Sequence, residues 1–375
     1  MPEEDTLKSQ IVNGVGEEDY SEDYVSNFDI AIIGISDSKN ALGNLGCEGA
    51  ARIIRENLAS LRKITKTIKI IDLGDIRGNS LNDRYFALAE VSKTLLKLNV
   101  TSLLIGGAQD YVLPIAKAFT KEKEDVSIAL IDSKLDFSVG GTDFSSQTFL
   151  SQVEQDCGER IFEVNVLGGQ KYLIGESQEN HLYNLNWHCT RLKDLRNENI
   201  NSAEPIMRDA NVISFDVGAI QQNNMPYFTN SNVNGFTGYE ACQLGWYAGV
   251  SNKIEAFAVQ EYNPEVDDSG KGGMLCAQII WHFFDGMSQG IRQVESELIN
   301  KCKISVVYLQ DFGVDIRFYT NREDNRCWVE VPWSDQIKII ACDQKDLLQA
   351  QNGDLPDKWW RFFQLDSNNK NQSKK

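Results

Sequence analysis

The chemistry open to this chain rests on three aspartates. Asp132 and Asp136 stand on either side of Lys134 in the segment Ile131-Asp132-Ser133-Lys134-Leu135-Asp136, and Asp216 lies in Ser214-Phe215-Asp216-Val217-Gly218. Both segments close short apolar, β-branched runs, so the carboxylates fall where strands end. Carboxylates gathered there are hard oxygen ligands for a divalent cation, which acidifies water for attack on a substrate. Without a cation they repel one another, and one ammonium among them relieves that repulsion. Two more segments share the strand-end setting: Ile105-Gly106-Gly107-Ala108-Gln109-Asp110 and Glu261-Tyr262-Asn263-Pro264.

Lys134 governs what the aspartates can hold. An ammonium a few ångströms from a divalent cation repels it by several kcal/mol at an effective dielectric of about 20. The economical reading places the Lys134 ammonium among these carboxylates, paired with Asp132, Asp136 or Asp216. The competing readings are a lysine that points to solvent at a strand end and a buried base or Schiff-base nucleophile. Asp110 follows a strand at the start of a helix, where an aspartate usually caps the helix. The alternative is an all-oxygen site of Asp110, Asp132, Asp136 and Asp216, suited to magnesium or calcium.

In order and approximate spacing, the four segments resemble the signature series of the arginase, agmatinase and formiminoglutamase family, the ureohydrolases. That series reads roughly G-G-D-H-S, D-A-H-x-D, S-F-D-x-D and E-x-N-P. The resemblance implies an arginase-like fold and a pair of manganese ions held by two histidines and four aspartates, which split water against a guanidino or formimino carbon. Here Gln109 stands at the first histidine, Lys134 at the second and Gly218 at the last aspartate, while Asp132, Asp136 and Asp216 match. Glu261 matches the glutamate that receives the substrate's cationic amidine, a role suited to bidentate charge-assisted bonds; the alternative is an inherited structural carboxylate. Asn234-Gly235-Phe236-Thr237-Gly238-Tyr239-Glu240 resembles the family's G-G-L-T-x-R-E stretch, with Tyr239 in place of arginine. Gly140-Gly141-Thr142-Asp143 occupies the place of a small-residue loop beside the metals, although Gly-rich turns are also common connectors.

These departures lead to an expectation of a ureohydrolase-like protein that has lost the binuclear manganese centre and its hydrolase activity. It would need no cofactor and would bind a small cationic or amidine ligand or a protein partner. The alternative is an active formiminoglutamase- or arginase-type C–N hydrolase with a rebuilt or mononuclear site holding Mn or Mg. A third reading is a metal-independent enzyme using Lys134. Trimers and hexamers are common in the family, so the resemblance also implies a homo-oligomer.

The elements that position these residues follow from hydrophobic pattern. Residues 28–35, 67–73, 102–105, 126–131, 211–215 and 256–259 read as buried strands, and 48–61, 87–98, 111–119, 239–249 and 275–299 as helices. Such alternation predicts a three-layer α/β/α fold with a mostly parallel central sheet, whose ligands sit beyond the carboxyl ends of the strands. Residues 168–198 have weak periodicity and read as irregular. After 303 the pattern predicts a small β-rich extension with strands at 306–309, 314–319, 328–331 and 337–340, a helix at 344–350, and an aromatic close around Trp359, Trp360, Phe362 and Phe363. The expected organisation is a flexible acidic arm (1–26), the α/β domain (27–302), the extension packed on the core (303–366) and a disordered tail (367–375).

At 375 residues the chain is long enough for a large buried core. It carries 37 basic and 54 acidic residues, a formal net charge of −17, with no basic stretch of the kind that tracks phosphates. No nucleic-acid or membrane partner is expected. Eight scattered cysteines without a C-x-x-C pair, and no secretory signal pattern, lead to the expectation of a reducing, cytoplasmic setting.

Overall fold

The computed structural model describes residues 3–14, 16–141, 143–185, 187–197, 200–226, 233–289, 299–333 and 336–372. Near-continuous runs of Ile, Val, Leu and Ala form the centre of a parallel sheet, because strands covered by helices on both faces must be apolar on both. The strands are β1 (Ile11–Asn13), β2 (Ile30–Gly34), β3 (Ile70–Asp75), β4 (Thr101–Ile105), β5 (Val126–Ile131), β6 (Ile161–Gly169), β7 (His188–Arg191), β8 (Val212–Asp216) and β9 (Ala256–Gln260). Among the described residues they order as β1-β3-β2-β4-β9-β8-β5-β6-β7, and every pairing is parallel. The four strands that end in the segments singled out above, β4, β9, β8 and β5, are therefore neighbours at the centre of the sheet. Their four loops emerge together at one edge.

Helices cover both faces. Ala50–Ser60 turns Ala50, Ala51, Ile54 and Leu58 inward, and Lys271–Ser288 packs with Gly238–Val250 on the same face as that helix. Val112–Glu122, Leu81–Lys97 and Phe149–Cys157 cover the other. The three-layer α/β/α architecture with a parallel central sheet is thus as expected. Residues 168–198 differ from their irregular reading: they hold the end of β6, the helix Glu176–Asn184, β7 and the helix Leu192–Asn197. The half-buried polar edge strand β7 and the low apolar content of its flanking helices hide both periods. In the segment read as an acidic arm, Leu7 is fully buried and Ile11–Asn13 adds β1 to the sheet. The predicted helix over 275–299 is observed as Lys271–Ser288, and its continuation through 290–298 lies outside the described residues.

The extension is an antiparallel meander of β10 (Lys303–Leu309), β11 (Val314–Thr320), β12 (Cys327–Trp333) and β13 (Gln336–Cys342), followed by helices Gln344–Gln351 and Asp357–Gln372. It docks at the amino ends of the core strands. Phe162, at the start of β6, stacks on Phe362 with ring centroids 5.1 Å apart and meets Trp333 at 4.8 Å. Arg361 donates to Glu163 at 3.0 Å, and the Ala341 amide donates to Asp209 at 2.7 Å, just ahead of β8. The extension and the carboxyl-end loops thus lie at opposite ends of the sheet. No helix among the described residues is long and apolar enough to cross a membrane.

The turn after β4 depends on glycine. Gly107 has φ +69°, and a Cβ there would lie 2.3 Å from Ile35 Cγ2. Gly140 shares the left-handed backbone, at φ +72°, but faces open space. Gly107→Ala should therefore cost more stability than Gly140→Ala, which carries only the backbone term of ~1–2 kcal/mol. Urea unfolding of the two variants measures the difference; equal losses would show that the approach to Ile35 is not constraining.

Candidate functional site

Asp132, Asp136 and Asp216 converge. One oxygen from each lies within 4.8 Å of the others, and all three residues are buried. The convergence follows from topology: β5 and β8 pair in parallel, with Ile131 opposite Phe215, so the residues that follow both strands meet at the same level. Backbone amides fix two of the carboxylates. The Lys134 amide donates to Asp132 Oδ1 at 3.1 Å, and the Gly218 amide donates to Asp216 Oδ1 at 2.7 Å. Gly218, expected to contribute no side chain, contributes its N–H instead.

Lys134 is drawn to the cluster. Its Nζ lies 3.1 Å from Asp136 Oδ1, an oxygen that makes no aligned hydrogen bond and is held by charge. The side chain remains 31% exposed, so the ammonium reaches the cluster from its rim. Burial alone would lower its pKa, but the carboxylates of Asp136, Asp132, Asp216 and Glu261 outweigh burial and hold it above the ordinary lysine range. The carboxylates thus favour the ammonium form of Lys134 over a buried neutral base.

The carboxyls show the converse strain. Burial raises Asp132 well above the usual carboxylate range, reinforced by Asp136 and Asp216. Burial also pushes Asp216 up to about 8, with Glu261 adding to it and Lys134 opposing it. Glu261 is raised by burial and pulled back by its hydrogen bonds.

Glu261 follows β9 and is wedged between the other loops. Oε1 accepts from the Gln109 amide at 2.8 Å, and Oε2 accepts from Asn44 Nδ2 at 2.8 Å. Its φ of +66° is a left-handed backbone that non-glycine residues rarely adopt, a strain of the sort that persists at functional sites. Asn44, in the loop after β2, also donates to the Glu261 carbonyl and accepts from Asn263. Sequence reading missed Asn44; its position beyond the carboxyl end of a central strand was the available signal.

Gln109 is buried and turned toward β8, donating to Ser214 Oγ at 3.2 Å, while its Oε1 has no hydrogen-bond partner among the described residues. Ser214 donates to Gln260, which donates to the Ala108 carbonyl, closing a polar chain beneath the site. Asp110 stands apart from the three aspartates and caps no helix; its carboxylate accepts from the Tyr85 hydroxyl. Burial pushes Asp110 up to about 7 against that hydrogen bond. Residues 140, 141 and 143 line a cavity of about 340 Å³ with Phe137, Glu154 and His181, outside the acid cluster. Thr142 lies outside the described residues. The Asn234–Glu240 segment serves the backbone: Thr237 and Glu240 form a reciprocal cap on the helix Gly238–Val250, and Tyr239 is exposed.

The model of the Arginase family matches residues 28–285. This chain belongs to the arginase family. It is 21% identical to the formimidoylglutamase of Staphylococcus haemolyticus over 254 residues, covering 65% of this chain and 81% of the relative. It is 23% identical to the formimidoylglutamase of Photorhabdus laumondii over 269 residues, covering 67% and 84%. Among solved structures, formiminoglutamase of Trypanosoma cruzi with Mn2+ superimposes with a TM-score of 0.65 at 22% identity, covering 72% of this chain and 95% of that one. Formimidoylglutamase of Bacillus subtilis gives 0.64 at 16% identity, covering 76% and 92%. The matched family segment ends before the C-terminal sheet, which this member adds to the arginase core.

One expectation is corrected here. The substitutions at Gln109, Lys134 and Gly218 led to a site needing no metal. Instead, the three remaining aspartates stay gathered in a buried cluster able to hold an ion, in a fold shared with a manganese-bearing arginase-family structure. Losing the histidine positions does not scatter the carboxylates, because paired strands and backbone amides hold them.

The raised carboxyls set a pH dependence. In the folded chain Asp132, Asp216 and Glu261 bind protons more tightly than in the unfolded chain. With a chelator present, stability should therefore fall as pH rises from the unfolded carboxylate value of about 4 through the folded value of about 8 at Asp216. Denaturant unfolding across that window should show a shallower fall in Asp216→Asn, and higher stability than the native chain at the alkaline end. Parallel curves would contradict the placement of an uncompensated carboxyl there.

Proposed function

We propose that this chain is a C–N hydrolase of linear amidines, of the formiminoglutamase type, working with a rebuilt centre of one divalent cation on Asp132, Asp136 and Asp216. The observation that carries the reading is charge. Three buried carboxylates and one ammonium leave two negative charges, the balance that one divalent cation supplies. In the family pattern four aspartates balance two manganese ions; here Lys134 takes the part of the second. Three carboxylate oxygens, together with water, form a hard donor set for Mn or Mg.

A divalent cation held by Asp132, Asp136 and Asp216 would supply Lewis acidity, lowering the pKa of water toward neutral. The chain's own residues do the rest. Lys134 keeps its proton on Nζ and contributes a fixed positive charge, which favours the deprotonated, nucleophilic form of a water beside it. Each Glu261 oxygen accepts one bond from the protein and retains a lone pair, so the carboxylate can receive an amidine while Asn44 and the Gln109 amide fix its plane. The curated relatives named formimidoylglutamase support formiminoglutamate as the first substrate to assay.

Protein purified with manganese present should hold about one metal per chain and hydrolyse formiminoglutamate, and Asp132→Asn should lose both properties. Lys134→His combined with Gln109→His and Gly218→Asp should raise the metal content to about two. A native protein that is metal-free and inactive, or that carries two metals with Lys134 in place, overturns the reading.

A further inference from the structure

We propose that the seam between the arginase core and the C-terminal sheet is a binding site for a small oxyanion, a carboxylate or phosphate group, received by Arg208 and Arg326. A cavity of about 480 Å³ opens there. Pro205, Trp246 and Val250 form its core wall, and the turn before β12 and the end of β13 form the other. It lies at the amino end of β8, opposite the acid cluster at that strand's carboxyl end.

Arg208 is 3% exposed, on the short helix Glu204–Asp209. Its Nε lies 3.1 Å from Glu204, a charge contact without an aligned hydrogen bond, and its Nη2 donates to the Cys342 carbonyl at 3.4 Å. Its Nη1, also buried, has no hydrogen-bond partner among the described residues. Arg326 resembles it: Nε donates to Asp324 at 2.6 Å, while Nη1 is buried with no hydrogen-bond partner among the described residues. The two guanidinium carbons lie 4.3 and 5.9 Å from the centroid of the same Trp328 ring. Buried unpaired N–H groups of a cation are costly, and two cations sharing one aromatic ring repel each other. A carboxylate or phosphate offers acceptor oxygens to both forks and opposes both charges.

The nearby carboxylates are already engaged. Glu204 and Asp324 pair with the Nε positions, leaving the Nη1 edges open. Asp343 caps the helix Gln344–Gln351 by accepting from the Lys345 amide. An incoming anion therefore meets donors that no side chain among the described residues takes, beside an apolar wall that suits an organic body.

The test titrates inorganic phosphate and, separately, benzoate into the full chain by calorimetry, with ionic strength held constant by chloride. Saturable binding of at least one is expected at about 20 mM, where even a millimolar site fills. Arg326→Gln, in an outer turn, should weaken it about ten-fold or more, as loss of a charge-assisted bond does. Arg208→Lys keeps the charge without the fork and should weaken it also, while Asp216→Asn at the distant cluster should leave it unchanged. Phosphate alone binding names a phosphate ligand, and benzoate alone a carboxylate. Saturation by neither, or equal affinity in the native protein and whichever arginine variant retains the native melting curve, overturns the proposal.

Discussion

Lys134 Nζ and Asp136 Oδ1 stand 3.1 Å apart at the edge of a buried group of carboxyls, and the other features of the site follow from that contact. Asp132, Asp216 and Glu261 are each raised by burial, and Lys134 opposes the rise in all three. Water cannot screen charges at such depth, so the carboxyls must be protonated, paired or ligated. One ammonium compensates one charge. In the proposed centre a single divalent cation balances the two charges that remain on Asp132, Asp136 and Asp216, and Glu261 is left to meet the cationic amidine.

The central sheet holds the cluster in place whatever occupies it. Four adjacent parallel strands deliver the loops after β4, β5, β8 and β9 to one edge, and backbone amides orient Asp132, Asp216 and Glu261. Replacing a ligand side chain alters the charge of the site without altering its geometry. That separation allows the fold to be plain where the residues of the site differ, and it is why function must be argued from the site. The C-terminal sheet docks at the other end of the strands, where it can add contacts without disturbing the acid cluster.

Much of this was legible in the sequence. Fully buried parallel strands are apolar along their whole length, so β2, β4, β5, β8 and β9 stood out, and the aspartates at their ends identified the site. The meander after residue 303 was equally plain. β7 and its neighbouring helices were hidden because an edge strand bordered by polar helices carries little periodic signal. At the site, the identity of Lys134 was visible but its consequence was overstated: replacing ligands implied an empty centre, whereas the fate of three gathered carboxylates depends on net charge. The partners of Asn44 and Tyr85 were illegible, since Glu261 and Asp110 are distant in sequence, although the position of Asn44 after a central strand was a signal.

The most direct test of the single-cation centre is anomalous diffraction at the manganese edge from crystals of the native protein grown with manganese. One peak among Asp132, Asp136 and Asp216, with Lys134 Nζ still facing Asp136, is the predicted result. Two peaks with Lys134 swung into solvent, or no peak at saturating manganese, would contradict the charge balance on which the account rests.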